Sequence, residues 1–182
     1  MLCMKNQTFR YFEHPILGVL VIGGSVNQGL SSLDFAALPP NLPNADDPLL
    51  KRVEDLLQRY LLGERVDFNV IPFAPEGTSF QQAVWNTLCR IPYGETRSYK
   101  WMAEQLAKPN ASRAVGNANG KNPIPILIPC HRVIHQDGSL GGYSGGLHVK
   151  QFLLALESHR KPQQQLAFFQ QSQVQTGSIT LL

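Results

Sequence analysis

The segment NPIPILIPCHRV, residues 122–133, combines prolines, a short apolar run and an adjacent Cys-His pair. Proline fixes φ and removes a backbone donor, so three prolines in this segment predict extended backbone rather than a helix. The run Ile126-Leu127-Ile128 favours burial. The segment is therefore predicted to be a buried strand that holds Cys130 on stiff backbone.

Cys130 is the first candidate for chemistry. A cysteine reacts as the thiolate, and a neighbouring imidazole such as that of His131 is a common proton acceptor for it. Two alternatives are a buried cysteine that only fills space and a zinc site with His131, His135 and His148. Adjacent Cys and His side chains do not readily face one ion, and the zinc-site spacings are missing. We therefore predict a nucleophile, no metal and no cofactor.

The composition of the whole chain indicates a globular protein. Its 182 residues, 43% hydrophobic and 16% charged, suit one domain or two small lobes. The three cysteines, Cys3, Cys89 and Cys130, have no disulfide-framework spacing, which predicts a reducing setting, cytoplasmic or nuclear. No signal peptide or bilayer-length apolar stretch is visible, so we expect no membrane anchor.

Charge is divided unevenly along the chain. Residues 1–75 carry 6 Lys/Arg against 8 Asp/Glu, whereas residues 76–160 carry 9 against 5. The basic excess lies with Cys130. It favours an anionic partner for the second half, although a solvated face shows the same pattern.

The first half of the chain predicts an α/β lobe over residues 1–75. Apolar residues alternate or run together between Phe9 and Phe35, with breaks expected at Pro15, Gly23-Gly24 and Gln28-Gly29, which is typical of short antiparallel strands. An amphipathic helix then begins at Pro48, after an Asp46-Asp47 cap, and continues to Gly63.

The second half, residues 76–160, is predicted to be mainly helical. A capping box begins a helix at Thr78 or Ser79 that ends before Pro92. Two shorter helices, Tyr99 to Leu106 and Ala111 to Asn119, have the spacing of a helix-turn-helix motif, although core helix pairs share it. The second of them carries small side chains and one long cation, Arg113, so it is slim enough to enter a groove.

Three features complete the chain. The glycine-rich loop 138–146 suits close approach of backbone to a flat ligand. The next helix, His148 to Ser158, carries Glu157 at the edge of its apolar arc, where a half-buried carboxylate needs a partner such as histidine. The tail 161–182 has seven glutamines, and we expect it to be poorly ordered.

The predicted fold class is therefore α+β. A small antiparallel-sheet lobe with one helix precedes a mainly helical domain that contains a helix-turn-helix, winged-helix-like motif.

Five motifs between Phe80 and Glu157 closely resemble those of the O6-alkylguanine-DNA alkyltransferases. They are Gly94-Glu95-Thr96-Arg97-Ser98-Tyr99, Arg113-Ala114-Val115-Gly116, Asn122-Pro123-Ile124-Pro125, Ile128-Pro129-Cys130-His131-Arg132-Val133 and Gly142-Tyr143-Ser144-Gly145-Gly146. The first half resembles the family's variable N-terminal lobe, ribonuclease-H-like in outline. The glutamine-rich tail falls outside the resemblance.

The resemblance implies a DNA repair enzyme. Such a protein binds double-stranded DNA through the minor groove with weak sequence preference and turns an O6-alkylguanine, or an O4-alkylthymine, out of the stack. It then moves the alkyl group irreversibly onto Cys130, once per molecule. No cofactor is implied, and we expect a monomer.

The resemblance also assigns residues. His131, oriented by Glu157, would take the proton of Cys130 through a water, Tyr99 and Ser144 would donate to the base, and the Cys130 and Val133 carbonyls would accept from it. The implied catalytic set is Cys130, His131, Glu157, Asn122 and Tyr99. The implied DNA and base contacts are Arg113, Ala114, Gly116, Ser112, Tyr143, Ser144, Val133, Arg132 and Gly145.

Three other functions compete with this interpretation. A non-catalytic sensor of alkylated bases would share the fold but lack Cys130. A transcription factor would need base-reading side chains, of which the helix of small residues has few. A cysteine-dependent hydrolase would use Cys130 and His131 but would turn over repeatedly.

Overall fold

A computed structural model describes residues 7–41 and 43–158. The first half begins with an antiparallel sheet of order β1-β2-β3, made of Thr8–His14, Gly18–Ser25 and Gly29–Ala36. The predicted break at Gly23-Gly24 is wrong, because β2 continues through it and a register shift at this point absorbs the irregularity. Cys3 and the glutamine-rich tail lie outside the described residues.

Helix α1, Pro48–Leu61, covers this sheet. The Asp47 carboxylate accepts hydrogen bonds from the Leu49 and Leu50 amides at 2.8 and 3.1 Å, and Pro48 occupies the first turn. These are the local signals that predicted the helix. The buried face of α1 comprises Leu49, Leu50, Val53, Leu56, Leu57, Tyr60 and Leu61.

The second half is mainly helical, as predicted. Its elements are α2 (Ser79–Leu88), β4 (Arg97–Ser98), α3 (Tyr99–Gln105), α4 (Ser112–Gly120), β5 (Val133–Ile134) and α5 (Leu147–Glu157). Thr78 and Gln81 form the predicted capping box of α2. The helix-turn-helix pair α3 and α4 packs on α2, where the Trp85 indole donates to the Ala118 carbonyl at 3.0 Å.

The segment before Cys130 is buried, but the prediction of a strand is wrong. Residues 124–128 form a tight turn that Asn122 closes from both ends: its Oδ1 accepts from the Ile124 amide at 3.0 Å and its Nδ2 donates to the Ile128 carbonyl at 2.7 Å. Ile126 has a φ of +73°, which a β-branched residue adopts only at a cost of about 1–3 kcal/mol. Packing and the Asn122 bonds impose this turn.

The two halves share one hydrophobic core. The Leu33 amide of β3 donates to the Pro123 carbonyl at 2.8 Å, so the sheet also holds the turn that precedes Cys130. The α+β architecture agrees with the prediction, whereas the boundary near residue 76 stays a prediction. Within the described ranges, no helix has the length and apolar character needed to cross a membrane.

Candidate active site

Cys130 begins a 3-10 turn, Cys130–Arg132, and is 3% exposed. Burial raises the pKa of its thiol to about 11, although a hydrogen bond from Asn122 and the charge of Lys150 act in the opposite direction. The thiol is therefore protonated at neutral pH. Any reaction of its sulfur needs a proton acceptor inside the site.

His131 supplies a candidate acceptor. Its Nε2 lies 3.0 Å from Glu157 Oε1, and its Nδ1 is buried with no hydrogen-bond partner among the residues described. Because a carboxylate accepts and cannot donate, Nε2 carries the proton of the neutral ring. The lone pair is then on Nδ1. Burial lowers the pKa of His131 despite the favourable Glu157 charge, so the ring is neutral at physiological pH.

The Glu157 carboxylate is the centre of a buried network. It accepts five hydrogen bonds, from Tyr60 Oη, His131 Nε2, Arg132 Nε, Arg132 Nη2 and the Gly94 amide. Burial alone would raise the pKa of this carboxyl, but bonds and charges from His131 and Arg132 hold it well below its usual range. Glu157 thus stays an anion and orients its partners.

Arg132 belongs to this network, which corrects its assignment to the DNA and base contacts. Its Nε and Nη2 each lie 2.8 Å from a Glu157 oxygen, and its Nη1 donates to the Ile91 carbonyl at 2.7 Å. The guanidinium also lies 5.8 Å from the centre of the Tyr93 ring. With these donors used inside the protein, Arg132 supports Glu157 and does not reach a base.

Tyr99 and the glycine-rich loop lie together at a second edge of the site. The Tyr99 ring is 5.2 Å from the His135 ring, and a Cβ on Gly116 of α4 would lie 3.8 Å from the Tyr99 ring. A Cβ on Gly141 would lie 2.8 Å from Tyr99 Oη, and Gly141 has a φ of +67°. Glycine is therefore required there for steric and backbone reasons.

Tyr143, in the same loop, faces the imidazole ring of His131. Its ring centre is 6.4 Å from that of His131 and 6.0 Å from that of Phe35 in β3. Its hydroxyl is buried without a partner in the described structure. Gly145 lies two residues further along the loop, and a Cβ on it would lie 2.9 Å from the Phe35 ring.

Comparison with known proteins identifies the family. Residues 79–159 match the family described as 6-O-methylguanine DNA methyltransferase, DNA binding domain. A Methanosarcina barkeri methylated-DNA--protein-cysteine methyltransferase is 45% identical over 152 residues, which cover 81% of this chain and 94% of the relative. The chain belongs to the O6-methylguanine-DNA methyltransferase family.

Other members of the methyltransferase family agree. An inducible Bacillus subtilis methylated-DNA--protein-cysteine methyltransferase is 45% identical and covers 86% of this chain and 88% of its own. The crystal structure of Mycobacterium tuberculosis OGT in complex with DNA superimposes with a TM-score of 0.76 at 41% identity, covering 88% of this chain and 99% of that one.

One buried cation in this methyltransferase-family chain was not predicted. Lys150 is fully buried in α5, and its Nζ donates to the Val133 carbonyl at 2.7 Å and to the Leu140 carbonyl. Burial lowers its pKa to about 8. Lys150 thus links the glycine-rich loop, through Leu140, to the backbone that follows Cys130. Its bond also occupies part of the hydrogen-bonding capacity of the Val133 carbonyl, which was predicted to accept from the base. The sequence offered one signal for this role: Lys150 lies two helical turns before Glu157, on the same face of the helix.

The remaining predicted contacts lie on α4 and the loop. Arg113 and Ala114 are exposed, whereas Ser112 and Gly116 are half-buried. Arg113 forms no hydrogen bond or ion pair with the part of the chain that is described. Ser144 is exposed. In residues 7–41 and 43–158 no three His, Cys, Asp or Glu side chains are grouped to hold a metal ion.

Proposed function

We propose that this protein repairs DNA by moving the alkyl group of O6-alkylguanine onto Cys130, as its relatives' name, methylated-DNA--protein-cysteine methyltransferase, describes for them. One observation carries the proposal: the buried Cys130 thiol is followed by an imidazole whose Nδ1 is unpartnered and whose Nε2 is held by ionised Glu157. The family's activity requires that combination of a nucleophile and a base.

The transfer is a displacement at carbon. The Cys130 proton moves to His131 Nδ1 through a water, and the sulfur attacks the alkyl carbon as the bond from carbon to guanine O6 breaks. The guanine leaves as an anion and takes a proton from the Tyr99 hydroxyl or from solvent. The product is a thioether, which no group of the site can cleave, so each molecule acts once.

The buried position of Cys130 supports a mechanism that turns the base out of the stack. A guanine within the duplex cannot reach the sulfur of a cysteine residue that is 3% exposed. We assign α4 to the minor groove, with Ser112, Ala114 and Gly116 against the backbone and Arg113 in the vacated stack. Few of its side chains read bases, so sequence preference is weak.

The extruded base would lie between α3 and the glycine-rich loop. Tyr99 and Ser144 would donate to it, the Cys130 and Val133 carbonyls would accept from its amine, and Tyr143 with Gly145 would form the wall beside the alkyl group. O4-alkylthymine offers the same alkyl carbon and is a second substrate. The reaction belongs in a reducing compartment because Cys130 must remain a thiol. We place the boundary between the two lobes near residue 76.

Intact mass measured after mixing with duplex DNA containing O6-methylguanine tests the function. We expect one added methyl per molecule, located on the peptide of Cys130, and then no further reaction. Cys130→Ala should gain none, whereas Cys89→Ala, the matched control, should react fully. Repeated turnover would favour a hydrolase, and methylation of the Cys130→Ala variant would refute the assignment.

Alkylation should also destabilise the protein. A methyl group on the buried Cys130 sulfur overpacks its surroundings, at a cost of about 1–3 kcal/mol. For a chain of this size the melting temperature should fall by about 2–4 °C per kcal/mol. Melts of free, methylated and benzylated protein measure this, and the benzyl adduct should melt lowest. An unchanged melting temperature would contradict the prediction.

A further inference from the structure

Among the described residues of the first half, Tyr60 of α1 hydrogen-bonds the buried Glu157 network. Its hydroxyl donates to Glu157 Oε1 at 2.7 Å, across 97 residues of sequence. The side chain is 1% exposed. Its ring meets Phe68 and Tyr93 edge-on, with centres 5.5 and 6.2 Å apart. These contacts hold the hydroxyl in place, so the bond to Glu157 is a fixed part of the site.

We propose that Tyr60 is a positioning residue for alkyl transfer, which acts by sharing Glu157 Oε1 with His131 and so setting how strongly Glu157 favours the imidazolium. The inference rests on the proposed function of Cys130 and His131. It adds a role for the N-terminal lobe in the reaction, beyond its contribution to the core.

The shared oxygen gives the direction of the effect. Glu157 Oε1 accepts from Tyr60, His131 and Arg132, so each donor draws on the same negative charge. If the Tyr60 hydroxyl is removed, more of that charge faces His131 Nε2. Because a carboxylate stabilises the protonated ring, His131 should then bind its proton more tightly.

Other charged or titratable groups also act on His131. The carboxylate of Glu157 and the cations Arg132 and Lys150 influence its charge, Cys130 precedes it in the chain, and the Tyr143 ring faces it. Among the described residues of the first half, Tyr60 is the one that hydrogen-bonds this network. Tyr60→Phe leaves every other group in place and preserves the ring contacts.

The test compares Tyr60→Phe with Tyr93→Phe, a matched loss of a hydroxyl that donates to the Leu156 carbonyl at 3.4 Å. Rates of Cys130 alkylation by free O6-benzylguanine are measured by mass from about pH 5 to about pH 9. In Tyr60→Phe, the pH of half-maximal rate on the acid side should rise by about half a unit or more. In Tyr93→Phe it should stay at the wild-type value.

An NMR titration of His131 provides a readout without the reaction. Its pKa should rise in Tyr60→Phe by the same amount as the kinetic midpoint. An unchanged midpoint and an unchanged His131 titration in folded Tyr60→Phe would overturn the proposal, as would equal shifts in Tyr93→Phe. If Cys130 of the wild-type protein does not accept the alkyl group at all, the proposed function is refuted instead. Failure of the Tyr60 proposal is therefore distinguishable from failure of the proposed function.

Discussion

Glu157→Ala is expected to cost about 3–5 kcal/mol of folding free energy, because it leaves the Arg132 guanidinium and the His131 ring without their buried acceptor. At about 2–4 °C per kcal/mol, the melting temperature should fall by about 6–20 °C. Alkyl transfer by the molecules that remain folded should also be slow, since the Glu157 carboxylate then no longer fixes the orientation of the His131 ring.

Thermal melts of Glu157→Ala and Glu95→Ala measure this cost. Glu95 also pairs with an arginine, Arg97, but the two side chains are 48% and 33% exposed, and a solvent-accessible pair contributes about 1 kcal/mol or less. The Glu95 variant should therefore melt close to the wild type. Similar melting temperatures for all three proteins would mean that the carboxylate network does not stabilise the fold.

Arg113→Ala is expected to slow repair of O6-methylguanine in duplex DNA by about one to two orders of magnitude. Holding a base outside the stack costs a few kcal/mol, and a long side chain in the vacated space offsets part of that cost. Arg113 is exposed and has no partner within the described structure, so it is available for this role. Reaction with free O6-benzylguanine should keep its wild-type rate, because the Arg113 guanidinium takes no part in the chemistry.

Lys121→Ala is the matched control for Arg113→Ala. Lys121 is an exposed cation immediately after α4. Its loss removes the same charge but leaves the Arg113 side chain available to fill the space of the extruded base. Its effect on duplex repair should be several-fold smaller and should vanish at high salt. If both variants lose duplex repair equally, or if Arg113→Ala also loses reaction with the free base, the assignment to the stack is refuted.

Local sequence signals predicted most of the helices. The Asp47-Pro48 start of α1 and the Thr78 capping box of α2 act within one helical turn, so their effect is visible in a short stretch of sequence. The resemblance between motifs likewise identified the family. Strand breaks have no such local signal: Gly23-Gly24 indicated a turn, but a bulge within a paired strand tolerates the same residues.

The sequence by itself therefore determined the positions of the helices, the Cys130-His131 pair and the family. Tertiary structure decided that residues 124–128 form a turn with Ile126 in a left-handed conformation, that Arg132 faces Glu157, and that Tyr60 shares its carboxylate. Arg132 and Tyr60 bond a carboxylate 25 and 97 residues away, and the turn depends on packing together with the Asn122 bonds, so no local periodicity reveals these partners. Burial of a charged or polar group has to be compensated by whichever partner the fold brings near, and that partner exists only once the lobes are packed.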